Sequence, residues 1–287
     1  MLSSKKVICG IFGFPIRHSA SPAMHNAAFQ HLKMNGNYLP FEVLPHLLKK
    51  AVEAIPVLNF DGVNVTIPYK EKVLPFLDEL SREASLIGAV NTIKNQGGKL
   101  IGFNTDAEGF QKALEEKWGQ SLTGAHLALI GAGGAARAVA VQAGIAGVRR
   151  LIILNRDKTR LKKLIQHIRT HFPKTNVIGF ALGDEKARSE VKFADCIINA
   201  TSLGMENEDL MPMPPDWLSP KNYVYDLIYR PFKTRWVQAA IKRRCRASGG
   251  LEMLLYQGAL SFQIWTGQKA PLEVMRRALK KQLLKNL

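Results

Sequence analysis

Cysteine is scarce in this chain: 287 residues carry three, Cys9, Cys196 and Cys245. They are far apart, and none has a second Cys or His at a metal-binding spacing such as C-x-x-C. They therefore build neither a disulfide framework nor a metal site. Buried, reduced thiols are the expected state, as in a cytoplasmic protein. Long apolar runs are missing too, and none approaches the roughly 20 residues that cross a bilayer. The apolar stretch at 7–14 stops at Pro15 and Arg17, which suits a buried first strand better than a signal peptide. Acidic residues are few: 23 Asp and Glu stand against 40 Lys and Arg, for a formal net charge of +17. Such a balance invites a nucleic-acid or acidic-membrane partner. Where the charge sits decides whether that reading holds.

The composition is otherwise that of a folded protein, 46% hydrophobic and 22% charged. About 150 residues per domain gives two domains. Strands are expected at 7–13, 38–43 and 62–67, then at 88–94 and 100–103 around a turn at 95–98. A helix opens at Ser21-Pro22 and runs to about 32, with Ser at the cap and Pro in the first turn. Another runs from Asp106 to about 118. A second series has strands at 125–130, 150–154, 177–181, 196–199 and 223–227 and helices at 135–146 and 159–171. Helices at 251–265 and 272–284 end the chain, and proline-rich 211–215 reads as a surface loop. Short apolar strands alternating with helices predict an α/β fold with parallel sheets, divided near residue 106.

The glycine turn carries the first chemical signal. Gly131, Gly133 and Ala136 fit G-x-G-x-x-G/A between an apolar strand and a helix. The first glycine permits the tight turn, the second lets a pyrophosphate approach the backbone, and the helix N-terminus adds amides and positive potential. About 20 residues on, the next strand ends in Asn155, Arg156, Asp157 and Lys158. Arg156 and Lys158 suit the 2′-phosphate of NADP. Asp157 suits the 2′-hydroxyl of NAD, or serves as a helix N-cap. NADP is the favoured cofactor, with NAD the alternative.

Four polar segments fall where strands end in the first half: 17–22, 64–70, 88–92 and 104–106. Together they hold hydroxyls, amides, a lysine and an aspartate, a set suited to a small polyhydroxylated acid. Ligands of open α/β sheets bind beyond the carboxyl ends of the strands.

These strings carry a resemblance. GFPIRHSASP at 13–22, NVTIPYK at 64–70, GAVNTI at 88–93, GFNTD at 102–106 and the glycine turn are followed by NATSLGM at 199–205, DLIY at 226–229 and GLEMLLYQGA at 250–259. In this order, over nearly the whole chain, they closely resemble the shikimate dehydrogenase family, including its quinate/shikimate members. The resemblance implies reversible NADP-linked reduction of 3-dehydroshikimate to shikimate, in aromatic amino-acid biosynthesis. It also implies an N-terminal α/β substrate domain over 1–106 and a Rossmann-like cofactor domain over 107–249. Residues 250–287 return to the first domain, with the ligand held between the two.

Carried over by position, Lys70 and Asp106 are the catalytic pair. Ser19 and Ser21 take the substrate carboxylate, and Thr66, Asn91, Tyr229 and Gln257 complete the pocket. Gly131, Ala132, Gly133, Gly134, Ala135, Asn155 and Arg156 hold the cofactor, with Leu227 and Gly250 near the nicotinamide. Asp157 departs from the family's usual Thr or Ser and bears on cofactor choice. No metal is implied. The partners expected are small molecules, in a cytoplasmic monomer or homodimer. The competing readings are an NAD-linked quinate/shikimate dehydrogenase and a basic, non-catalytic nucleic-acid-binding relative. The intact Lys70 and Asp106 stand against the second.

The chemistry suits these residues. Hydride attack on a ring carbonyl leaves an alkoxide that needs a proton, and a general acid within about 3 Å stabilises the charge and delivers it; Lys70 does both, or acts as a fixed cation and leaves the proton to water. The excess charge proves local. Residues 149–174 hold nine basic side chains and one acid, 230–246 seven and none, and 270–287 five and one, whereas the remainder is net −2. The largest block includes Arg156, so it suits an anionic cofactor. The other two default to solvated faces.

Overall fold

The computed structural model describes residues 6–206 and 210–284, which form two compact α/β units: 6–109 with 254–284, and the described residues of 110–253.

The first unit is built on a six-stranded sheet. Its strands are β1 (Val7–Gly13), β2 (Gly36–Glu42), β3 (Gly62–Val65), β4 (Glu79–Leu80), β5 (Thr92–Gln96) and β6 (Lys99–Phe103). Their order is β2-β1-β3-β5-β6-β4. β1 pairs in parallel with both β2 and β3, while β5 runs antiparallel to β3 and to β6. Helices α1 (Ser21–His31), α2 (Leu48–Val57) and α3 (Arg82–Ile87) connect the strands. One core cluster packs Val52, Ile55, Val63, Val65, Tyr69, Val90 and Ile93.

Two sequence expectations are corrected here. Residues 88–91 are not strand: Gly88 takes a left-handed conformation (φ +67°) that caps α3, so β5 begins at Thr92. Ser21 is not the cap of α1: Ala20 holds that position, and Ser19 Oγ accepts from Ser21 N at 3.3 Å. The hydroxyl serving the helix start therefore comes from two residues earlier than the pattern suggests.

The second unit holds a parallel sheet, ordered β12-β11-β10-β7-β8-β9. The strands are β7 (His126–Ile130), β8 (Arg150–Asn155), β9 (Asn176–Ala181), β10 (Cys196–Asn199), β11 (Tyr223–Asp226) and β12 (Arg246–Ser248). β10 and β11 are buried along their whole length, as expected where helices cover both faces of a parallel sheet. α4 (Asp106–Trp118), α5 (Gly134–Ile145), α6 (Lys158–His171), α7 (Ala187–Lys192) and α8 (Arg235–Lys242) follow in chain order.

α6 shows how the basic surface arises. Leu161, Leu164 and Ile168 form its buried stripe, and Lys158, Arg160, Lys162, Lys163 and Arg169 are exposed. The expected proline-rich surface loop is a partial miss. Pro214 is exposed, but Met213 and Trp217 on either side of it are anchored in the core.

The C-terminal helices are α9 (Leu251–Thr266) and α10 (Leu272–Leu284). In the first unit, Trp265 of α9 donates its indole N–H to Ile93 O at 2.9 Å. This bond ties the helix to β5 and sets Gln257, two turns earlier, over the polar end of the sheet.

Candidate active site

Strand direction assembles the site in the first unit. β1 and β3 are parallel neighbours, with Phe12 opposite Val65, so the segments that follow them leave from the same end. Thr66 N donates to Phe12 O at 2.9 Å and Phe14 N to Ile67 O at 3.1 Å. β5 runs the other way, so its beginning lies there: Thr92 is opposite Asn64. β6 reverses again, so its end returns, with Phe103 opposite Thr92. Ser19, Ser21, Thr66, Lys70, Asn91 and Asp106 thus all issue from one end of one sheet.

The centre is an ion pair. Lys70 Nζ lies 2.7 Å from Asp106 Oδ2, with side-chain exposures of 17% and 5%. Asn91 Nδ2 donates to the other carboxylate oxygen at 2.9 Å. Asp106 opens α4, where the helix N-terminus favours negative charge. Asn91 Nδ2 is also 3.3 Å from Gln257 Oε1, so α9 contributes to the same cluster. Lys70, Asp106, Asn91 and Gln257 are joined by direct contacts. Thr66 is half-buried one turn before Lys70, and Ser19 and Ser21 stand at the start of α1.

Tyr229, Leu227 and Gly250 belong to the second unit with the glycine turn. Gly131 has φ +119°, a conformation that favours glycine. At Gly133 a Cβ would meet nothing within 4 Å, so an anion can approach that backbone freely. Ala132 and Gly133 lead into α5, whose first turn contains Gly134 and Ala135 and offers amides without helical partners. Arg156 and Lys158 are exposed beyond β8, beside Asn155. This arrangement fits a dinucleotide with an extra phosphate. Asp157 does not oppose it strongly. Its Oδ1 accepts from Thr159 N at 2.8 Å and Arg160 N at 3.0 Å, so the carboxylate caps α6. Those bonds, Arg160's first, hold its pKa below the ordinary carboxylate value.

Two buried titratable groups lie outside the residues expected from sequence. Asp226, in the second unit, accepts from Asn199 Nδ2 at 2.9 Å, Ile228 N at 3.1 Å and Thr234 Oγ1 at 2.7 Å. Burial pushes its pKa up to about 6. His25, in the first unit, stacks on Tyr38 at 4.3 Å between ring centroids, with both ring nitrogens buried and unpartnered. Burial lowers its pKa to about 3.

These two act oppositely on stability. Between pH 6.5 and about 3 the unfolded chain binds a proton at His25 that the folded state refuses, so stability falls with pH there by about 1.4 kcal/mol per unit. Between pH 6 and 3.8 the folded state binds the extra proton, at Asp226, so stability rises as pH falls. In acid denaturation melts, His25→Phe is expected to remove the first slope and Asp226→Asn the second. Identical slopes in wild type and His25→Phe would contradict the buried neutral imidazole.

A lysine–carboxylate pair at one sheet end, in a chain that also carries a phosphate-ready glycine turn, is the equipment of a nucleotide-dependent oxidoreductase. The family model for the shikimate dehydrogenase substrate binding domain matches residues 11–93, and that for the shikimate 5'-dehydrogenase C-terminal domain matches 250–280. The chain is 47% identical over 286 residues to a shikimate dehydrogenase (NADP(+)) of Desulforamulus reducens, covering 99% of this chain and 98% of the relative. It is similar to the shikimate 5-dehydrogenase of Thermus thermophilus solved with NADP(H) and shikimate. There the TM-score is 0.86 at 34% identity, over 96% of this chain and 100% of that one. A third match is the shikimate 5-dehydrogenase of Listeria monocytogenes in complex with shikimate and NAD, with TM-score 0.87, 36% identity and coverage of 96% and 97%. The chain belongs to the shikimate dehydrogenase family.

Proposed function

We propose that this protein is an NADP-linked shikimate dehydrogenase, catalysing the reversible reduction of 3-dehydroshikimate to shikimate in aromatic amino-acid biosynthesis. The observation that carries the reading is the 2.7 Å contact between Lys70 and Asp106, both largely buried, in a chain of this family. The first unit binds the substrate and the second binds NADP; residues 250–253, expected with the first, lie in the second. NADPH, when bound, supplies the hydride that reduces the ring carbonyl. The Lys70 ammonium sits ready to stabilise the resulting substrate alkoxide and hand it a proton. Asp106 fixes the ammonium through one oxygen and receives Asn91 on the other.

Ser19 and Ser21 donate to the substrate carboxylate. Ser19 Oγ accepts from the Ser21 amide, which leaves its hydroxyl hydrogen for that purpose. Thr66 and Gln257 complete the pocket of the first unit, and Tyr229 is assigned to the substrate by the family motif it stands in. Gly131 to Ala135, Asn155, Arg156, Lys158, Leu227 and Gly250 hold NADP, and Asp157 caps α6 beside it. The protein works on small molecules in the cytoplasm as a monomer or homodimer. No helix among the described residues is long and apolar enough to cross a membrane.

The decisive measurement is steady-state kinetics with shikimate and quinate, each with NADP and NAD. The highest kcat/KM is expected for shikimate with NADP, and a preference for quinate with NAD would reassign the enzyme. Ser19→Ala is expected to raise the shikimate KM about tenfold with kcat nearly unchanged, as for loss of a hydrogen bond to a charged group. An unchanged KM would remove Ser19 from the carboxylate site. Asp157→Thr keeps a side-chain oxygen that can cap α6 and removes a charge that repels phosphate. It is expected to strengthen NADP binding only severalfold, because Arg156 and Lys158 already favour the phosphate. A reversal of cofactor preference in that variant would show that Asp157, not Arg156, sets it.

A further inference from the structure

Beneath Asn91 lies a buried chain of polar side chains that none of the site residues above includes. Thr92 and Ser261 are fully buried, and Asn64 nearly so. Thr92 Oγ1 lies 3.0 Å from Asn91 Oδ1, 3.0 Å from Asn64 Nδ2 and 2.8 Å from Ser261 Oγ. Tyr38 O–H donates to Asn64 Oδ1 at 2.7 Å.

Hydrogen counting fixes the orientation of both amides. Asn64 Nδ2 faces Asn91 O at 3.0 Å, a carbonyl that only accepts, so its NH2 points toward this cluster. Asn91 Oδ1 receives Thr105 N at 2.8 Å, and a backbone N–H only donates. The amide is therefore oriented with Nδ2 toward Asp106. Thr92 has a single hydrogen. Its neighbour Asn91 Oδ1 only accepts and its neighbour Asn64 Nδ2 only donates. Thr92 Oγ1 donates to Asn91 Oδ1, and Ser261 Oγ, which also reaches Gln257 O at 3.0 Å, supports it from below.

We propose that Thr92 is a positioning residue for the reaction. Its hydroxyl, held between Asn64 and Ser261, locks the Asn91 amide so that Asn91 holds Asp106 and Asp106 holds Lys70. The inference rests on the dehydrogenase reading above. The Thr92 hydroxyl adds to Thr105 N and Thr105 Oγ1 on Asn91 Oδ1, which polarises the amide and strengthens its N–H toward the carboxylate. Without that hydroxyl Asn91 Oδ1 is held by Thr105 alone, and the amide loses the contact that fixes it from beneath. Ser261 enters from α9, one turn beyond Gln257, so the C-terminal helix supplies both a pocket residue and the support beneath Asn91.

The test is kinetic. Thr92→Val keeps the shape and removes the hydroxyl. It is expected to lower kcat for shikimate oxidation about tenfold, with both KM values within about threefold and the NADP dissociation constant unchanged. Thr92→Ser restores the hydroxyl and should recover kcat to within about threefold of wild type. In an Asn91→Ala background, Thr92→Val should cause no further loss, because its effect passes through Asn91. Thermal melts run alongside. If Thr92→Val does not fold, Ser261→Ala carries the test, with a severalfold drop in kcat that also vanishes in the Asn91→Ala background. Wild-type kcat in a folded Thr92→Val protein, or losses that simply add to Asn91→Ala, overturn the proposal. Wild-type protein that fails to oxidise shikimate at all overturns the dehydrogenase reading instead.

Discussion

Lys70→Ala is expected to lower kcat for shikimate oxidation by roughly a thousandfold, within the range of a lost general acid–base group. Substrate and cofactor affinities should change by severalfold at most. The size follows from the surroundings. Asp106 is 5% exposed, and among the described residues Lys70 is the cation that contacts it. Removing the ammonium abolishes the proton donor and leaves a buried carboxylate beside the reacting oxygen, which repels the charge that develops there. The uncompensated carboxylate also costs stability, by about 3 kcal/mol where breaking a buried pair is the guide. Titration calorimetry for binding and steady-state assays for turnover separate the effects. Turnover within about tenfold of wild type would remove Lys70 from the chemistry.

The second large effect is expected at Gly250. A Cβ there would lie 2.1 Å from Leu227 O and 2.5 Å from Leu227 C. Both are backbone atoms, so no rotamer change relieves the overlap. Gly250 N also donates to Ile228 O at 3.0 Å, which pins the two segments together. Gly250→Ala must push the 227–228 segment away. A stability loss of about 1–3 kcal/mol is expected, as for overpacking a tight core, with NADP affinity falling at least tenfold. Gly133→Ala provides the contrast, because its Cβ would point into open space. That variant should keep the wild-type melting temperature and lose NADP affinity alone. A Gly250→Ala protein with wild-type melting and binding would show that Leu227 and Gly250 lie outside the cofactor site.

Most of the fold was legible because strands and long helices announce themselves locally. β1, β10, α4 and α10 match their expected ends. The misses have local causes of another kind. The six-residue helices α3 and α7 and the three-residue β12 carry too few residues for a clear period. α2 and α8 go unread although Leu48, Val52 and Ile55, and Trp236, Val237 and Ala240, form buried stripes. Gly88 reads as a strand residue until its left-handed cap is seen. Within the site, the segments 17–22, 64–70 and 104–106 stand where strands end, as read, whereas 88–92 leads into β5, and the Lys70 and Asp106 pairing rests on the family resemblance. The hub at Asn91 was not readable. It depends on the reversed direction of β5 and on Ser261, which meets Thr92 across 169 residues of sequence. A serine four residues after Gln257 lies on the same helix face, and that spacing was the one signal available.

The three thiols have a practical consequence. Cys9 and Cys196 are fully buried, Cys245 is nearly so, and burial holds their pKa values above the free-thiol range. None can react with a disulfide reagent until its surroundings open. Cys9 stands in β1 of the first unit, and Cys196 stands in β10 of the second. Paired with a Cys245→Ser background, the labelling rates of these two sulfurs become independent clocks for the breathing of each unit. Shikimate should slow the clock at Cys9, and NADP the clock at Cys196.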